Sequence, residues 1–173
     1  MSQPNKIPKD LIIIGIDPGI ADTGYAIVKS NANKVEAIDY GSITTKSTAT
    51  ESERLLEIQA NVEELIQKFQ PSAIAIEKLF FNKNVRTALS VGQARGIVLA
   101  TAQKNQLDVY EFTPGQVKQS LTGTGSAPKK QVQEMVKRIF NLKKIPQPDD
   151  AADALAIANC CANSIKLHSL LKK

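Results

Sequence analysis

Three observations predict an α/β protein built on a mixed five-stranded sheet with helices on both faces. Three apolar runs near the start, Leu11 to Ile14, Tyr25 to Val28 and Val35 to Thr44, are joined by short polar turns and read as an antiparallel meander. Two further short apolar runs, Ser72 to Glu77 and Leu107 to Phe112, alternate with helical stretches, as parallel strands and their crossovers do. Three helical stretches close the chain, so the predicted order is βββαβαβααα. The 173 residues fit one domain with a substantial core. Residues 1–10 read as a polar lead-in, 11–166 as the domain and 167–173 as a tail.

Each element has its own local reason. The run from Leu11 is too short for a membrane span and suits a buried central strand, yet it ends on a carboxylate, Asp17, followed by Pro18 and Gly19. The turn Ala21-Asp22-Thr23-Gly24 leads into the second strand. Thr50 and Glu53 form a capping box for a helix whose apolar face is Leu55, Ile58, Val62, Leu65, Ile66 and Phe69, with Pro71 ending it. The strand ending at Glu77 also finishes on an acid. A long helix is expected from Val85 to Lys104, with Val85, Leu89, Gly92, Gly96 and Leu99 on one face. Each of its glycines costs about 1 kcal/mol against alanine, so close approach of another backbone, from the sheet or a second subunit, is expected there. Thr113, Pro114 and Gln116 start a short helix ending near Leu121. After the loop Thr122 to Ser126, a helix from Lys129 to Asn141 carries Val132, Met135, Val136, Ile139 and Phe140 on one stripe, and a last helix runs from Pro148-Asp149 to about Lys166.

Composition narrows the chemistry. The chain is 42% hydrophobic and carries a net charge of +5, which favours a polyanionic partner only weakly. No stretch reads as a signal peptide or membrane helix, so a cytoplasmic protein is expected. Cys160 and Cys161 are adjacent in a helical pattern and read as reduced, buried small residues. His168 is the only histidine and lies in the tail, which leaves no His/Cys zinc site. A metal here must be held by oxygen, which points to magnesium or manganese.

The acids supply that oxygen. Asp17 and Glu77 end apolar strands, and Asp150 and Asp153 lie three apart on one face of the last helix. An isolated acid at the end of a central strand is costly to desolvate, so it calls for a cation. The competing reading is local: Asp17 caps a turn, and Asp149 and Asp150 cap the helix. The chemistry that uses four convergent carboxylates is two-metal phosphoryl hydrolysis. Lys118, Lys129 and Lys130 surround the Gly/Ser loop and suit a path along phosphates, against the alternative of a solvated face. Phe80 and Phe81 follow Glu77 closely, in a loop with Lys78, Asn82, Lys83 and Asn84, and read as a base-stacking wedge.

The motifs GIDPG at 15–19, TGYAIV at 23–28, AIEKLFFNKN at 75–84, LSVGQARG at 89–96, QVKQSLTGTGSA at 116–127 and DAADALAIA at 150–158 resemble, in order and spacing, those of RuvC-type Holliday junction resolvases of the RNase H-like superfamily. The match runs from Ile12 to about Ala162. The resemblance implies an RNase H-like fold. It also implies a homodimeric endonuclease that cuts four-way DNA junctions symmetrically with Mg²⁺ or Mn²⁺, leaves 5′-phosphate nicks, and works with a RuvA–RuvB branch-migration machine. It assigns catalysis and metal binding to Asp17, Glu77, Asp150 and Asp153, base contact to Phe80, and roles near the scissile phosphate to Lys118 and Lys129. Asp149 departs from the pattern by adding a carboxylate beside Asp150. Two rivals are a junction-binding protein that does not cut and an ATP-handling enzyme of the actin and sugar-kinase superfamily, whose first phosphate loop GIDPG also resembles.

Overall fold

The computed structural model describes residues 10–31, 34–79 and 85–171, with side chains for all of these except 85–87. Its elements follow the predicted order: β1 (Leu11–Asp17), β2 (Asp22–Ser30), β3 (Val35–Thr44), α1 (Glu51–Phe69), β4 (Ala73–Glu77), α2 (Val85–Lys104), β5 (Asp108–Phe112), α3 (Pro114–Thr122), α4 (Lys129–Ile139) and α5 (Asp149–Leu171). The five strands form one sheet in the order β3-β2-β1-β4-β5. The β1–β2 and β2–β3 pairs are antiparallel, whereas β1–β4 and β4–β5 are parallel. The meander therefore supplies one half of the sheet and the helix crossovers the other.

Each face carries its own core. On one side Ile14, Ile16, Ile27, Ile74 and Ile76 pack against Ile58, Val62 and Ile66 of α1 and Ala94, Val98 and Ala102 of α2. On the other, Ile13, Ala26, Val28 and Ala75 pack against α5 and, beyond it, α3 and α4. Alternation along the strands makes this division, since successive side chains point to opposite faces. The capping boxes at Thr50 and Thr113 are both formed. Cys160 and Cys161 are buried and unbonded to each other, and burial pushes both thiols up, so they serve as small core residues.

Two helices differ from expectation. The face of α2 that packs on the sheet is Ala94, Val98 and Ala102, not the Leu89–Gly92–Gly96 face, and Leu89 is 64% exposed. These three residues join the isoleucine-rich core between α1 and the sheet. Among the described residues, no backbone crowds the two glycines. A Cβ at Gly92 would meet only the Leu79 side chain at 3.5 Å, and one at Gly96 would meet open space. The helix α5 continues past Lys166 to Leu171. Residues 1–9 of the lead-in lie outside the described residues.

The helix α5 is buried on nearly every side from Ala151 to Ala162, apart from Asp153. It is sandwiched between β1, β2 and β3 on one side and α3 and α4 on the other. Small residues permit the close fit. A Cβ on Gly15 of β1 would lie 2.3 Å from the Ala154 carbonyl oxygen and 2.8 Å from the Ala158 Cβ. Gly15→Ala is therefore expected to cost about 3 kcal/mol or more in urea unfolding, because backbone rather than a pliable side chain must give way. A loss under about 1 kcal/mol would show that α5 can shift off β1 freely.

Candidate active site

Strand alternation aims two of the predicted acids. Asp17 shares a face of β1 with Ile13 and Gly15, and Glu77 shares a face of β4 with Ala75, so both side chains project on the α5 side. They end neighbouring parallel strands at the same edge of the sheet, where ligand crevices form in α/β folds. The start of α5 brings Asp150 and, one turn on, Asp153 to this edge. The positive end of the helix dipole there favours their charge.

The approach depends on a glycine that sequence reasoning did not single out. Gly24 pairs with Asp17 across the β1–β2 ladder. A Cβ on it would lie 2.1 Å from the Asp150 carbonyl oxygen. Only hydrogen at this position lets the start of α5 reach Asp17. The intervening turn is closed by buried Thr23, whose hydroxyl donates to the Gly19 carbonyl at 2.6 Å. In sequence, the sole signal was Thr-Gly immediately before an apolar strand.

Carboxylate oxygens of Asp17, Asp150 and Asp153 all lie within 4.8 Å of one another. Glu77 is not in that group of three, but it lines the same cleft of about 230 Å³, together with Asp17, Asp153, Lys118 and Lys129. The acids strain one another's ionisation. Burial, then Asp153, Glu77 and Asp150, push Asp17 up to about 7 against the pull of Lys129. Burial and Asp153 raise Glu77, while Lys118 opposes the shift. Burial also raises Asp153, opposed by Lys129. Hard oxygen donors, crowded and short of positive charge, fit a divalent cation of the magnesium or manganese class.

Lys129 supplies part of the missing charge. Its ammonium lies 3.2 Å from Asp149 and 3.3 Å from Asp153. Its partial burial works against protonation, but Asp153 and Asp149 outweigh this and hold it raised. Asp149, the extra acid beside Asp150, stands apart from the group of three. It accepts from Lys129 and, at 3.1 Å, from Gln133, and the bond from Lys129 holds it below the usual carboxylate range. Lys130 is exposed on α4 and does not line the cleft. Phe80 and Lys83 lie outside the described residues.

A family model described as "Crossover junction endodeoxyribonuclease RuvC" matches residues 13–161, which span every acid of this cleft. The chain belongs to the RuvC family. The RuvC protein of Ruminiclostridium cellulolyticum is 54% identical over 161 residues, covering 93% of this chain and 97% of the relative. That of Halothermothrix orenii is 51% identical, covering 91% and 96%. Among solved structures, Thermus thermophilus RuvC in complex with Holliday junction substrate superposes with a TM-score of 0.86 at 38% identity, covering 92% of this chain and 97% of that one. The yeast mitochondrial Holliday junction resolvase Ydc2 shares the fold alone, with a TM-score of 0.64 at 15% identity. The RuvC fold, with its mixed sheet between helices, is thus the fold expected from the sequence. Membership also removes the actin and sugar-kinase reading. Among the described residues, no helix is long and apolar enough to cross a membrane.

The shifted acids give a pH prediction for the metal-free protein. The folded state keeps a proton on Asp17 up to about pH 7, whereas the unfolded chain releases it near 3.8. Folding therefore binds a proton in that window, and stability must fall as pH rises through it, by a few kcal/mol at most. Unfolding free energies of wild type and Asp17→Asn in chelator are expected to diverge from pH 4 to pH 7, with wild type losing ground. Added Mn²⁺ should raise the wild-type melting temperature more at pH 8 than at pH 5. A constant difference between the two proteins across that range would mean that Asp17 is not under charge stress.

Proposed function

We propose that this protein resolves four-way DNA junctions by hydrolysing phosphodiesters in two opposed strands, with Asp17, Glu77, Asp150 and Asp153 as its catalytic acids. The observation that carries the reading is the meeting, beside Lys118 and Lys129, of carboxylates from β1, β4 and α5 in a member of the RuvC family. The relative whose structure was solved with a Holliday junction supports the choice of DNA substrate. A binding protein that does not cut would have no use for carboxylates held at such electrostatic cost.

The residues divide the work by charge. Asp17, Asp150 and Asp153 would hold one divalent ion, and Glu77, across the cleft, would share in holding a second. Bound Mg²⁺ or Mn²⁺ supplies Lewis acidity that lowers the pKa of water and neutralises charge on the phosphate. Lys118 and Lys129 bind the phosphate oxygens of the strand to be cut and offset the charge that grows there during attack. The water oxygen forms a bond to phosphorus, the bond to the 3′ oxygen breaks, and a 5′-phosphate nick remains. Lys130 and Lys83 contribute further phosphate contacts, and Phe80 stacks on a base exposed by junction opening.

A two-fold junction presents its two cuts to two sites, so the proposed active species is a homodimer. The outward face of α2, with exposed Leu89 and uncrowded Gly92 and Gly96, is the proposed contact. Such a dimer would receive junctions from a RuvA–RuvB branch-migration complex. With DNA as substrate, the proposed place of work is the cytoplasm.

A synthetic four-way junction with protein and Mg²⁺ or Mn²⁺ tests the reading, and paired, ligatable nicks are expected. Asp17→Asn, Glu77→Gln, Asp150→Asn and Asp153→Asn should each slow cutting by about 100-fold or more while junction binding persists. Full activity in one variant removes that residue from the site. Phe80→Ala should slow cleavage with little change in melting temperature, and parallel losses would reassign the ring to the core.

A further inference from the structure

We infer that Arg95, held in place by Glu111, is a positioning residue for Glu77. The inference rests on the proposed role of Glu77 as a catalytic acid. Glu77 occupies a weakly supported place in the sheet. The last β1–β4 pair is Ile16 with Ile76, one residue short of it. On the other side β5 continues only through Phe112, whose carbonyl accepts from the Lys78 amide at 2.8 Å. A terminal strand residue with support on one side frays readily, and a carboxylate carried on it would wander.

Arg95 supplies the second support. It comes from α2, on the face of the sheet away from α5, and its side chain is only 18% exposed. Its Nε donates to the Glu77 carbonyl at 3.3 Å, and its Nη2 pairs with the Glu111 carboxylate. Glu111 lies on β5 opposite Ile76, the residue before Glu77. One planar guanidinium thus ties α2, the last residue of β4 and β5 together. A lysine's donors all sit on one nitrogen, so it lacks the rigid fork by which the guanidinium reaches the Glu77 carbonyl with one nitrogen and Glu111 with another.

The clamp acts on the Glu77 main chain and leaves its carboxylate free to face the cleft, so it controls placement rather than charge. Leu79, just past the acid, packs beside Gly92 of α2.

The test separates placement from stability. The double variant Arg95→Met with Glu111→Leu removes both charges and keeps side-chain volume, and the loss of a half-exposed ion pair of this kind costs little stability. The variant should melt within a few degrees of wild type and bind a four-way junction with unchanged affinity. Its single-turnover cutting rate should fall at least tenfold, and the Mn²⁺ concentration for half-maximal cutting should rise. Glu111→Gln, which leaves the bond to Glu77 in place, should lose less, and Arg95→Lys should restore little. Wild-type cutting by the double variant overturns the inference, as does a loss of cutting matched by a loss of melting temperature in every variant. Glu77→Gln is measured alongside. If that variant cuts normally, the reading of Glu77 itself fails. If it is inactive while the double variant cuts normally, only the clamp is wrong.

Discussion

Carboxylates repel one another, and this fold holds three of them within 4.8 Å. That constraint shapes everything near the cleft. The acids arrive from segments far apart in the chain, so no local preference assembles them. The sheet fixes Asp17 at the end of β1, with Glu77 nearby at the end of β4, and a buried helix delivers Asp150 and Asp153. Burial then makes the repulsion expensive, which is why Asp17 stays protonated to about pH 7 without a cation. Packing energy from other parts of the protein sustains the arrangement, and a bound divalent cation would release the tension. A site of this kind is stable as a fold and unsatisfied as a charge distribution, and both properties are needed to concentrate divalent ions.

Lys129 shows how the fold moderates the repulsion. It bridges Asp149 and Asp153 from the first turn of α4. Asp149 is the additional acid that made the sequence ambiguous beside Asp150. Its side chain turns to Lys129 and Gln133, whereas that of Asp150 joins Asp17 and Asp153. Two adjacent residues of one helical turn point about 100° apart, so at most one could face the strand ends. The ambiguity was combinatorial in sequence and disappears once the helix is docked.

Much of the architecture was legible because local rules sufficed. The capping boxes at Thr50 and Thr113 start helices where the spacing says they should, and β3 runs from Val35 to Thr44 as its alternation predicts. Asp17 and Glu77 stood out because an acid interrupts an apolar run. Other features depend on relations between elements and have no local signature. Gly24 matters because of its register partner Asp17 and the helix above it. Arg95 matters because Glu111 comes within its reach from another strand. Of the two partners expected for the Leu89–Gly92–Gly96 face of α2, the sheet is excluded only in three dimensions, where Ala94, Val98 and Ala102 take that place.

The choice of small residues on the α5 side follows from the same constraint. A larger side chain at Gly15, Gly24, Ala154 or Ala158 would bury more apolar surface, at about 0.8 kcal/mol per methylene. It would also push α5 away from the strands by the thickness of that group. Packing on the opposite face shows no such restraint, with Ile14, Ile16, Ile74 and Ile76 meeting Ile58, Val62 and Ile66. The two cores therefore serve different ends. The isoleucine-rich face contributes hydrophobic burial, while the glycine- and alanine-rich face gives up part of it for proximity. Carboxylates a few ångströms further apart would repel less, and they would also be less able to share the cation proposed for them. The small-residue face keeps the helix close enough for the acids to act as one site.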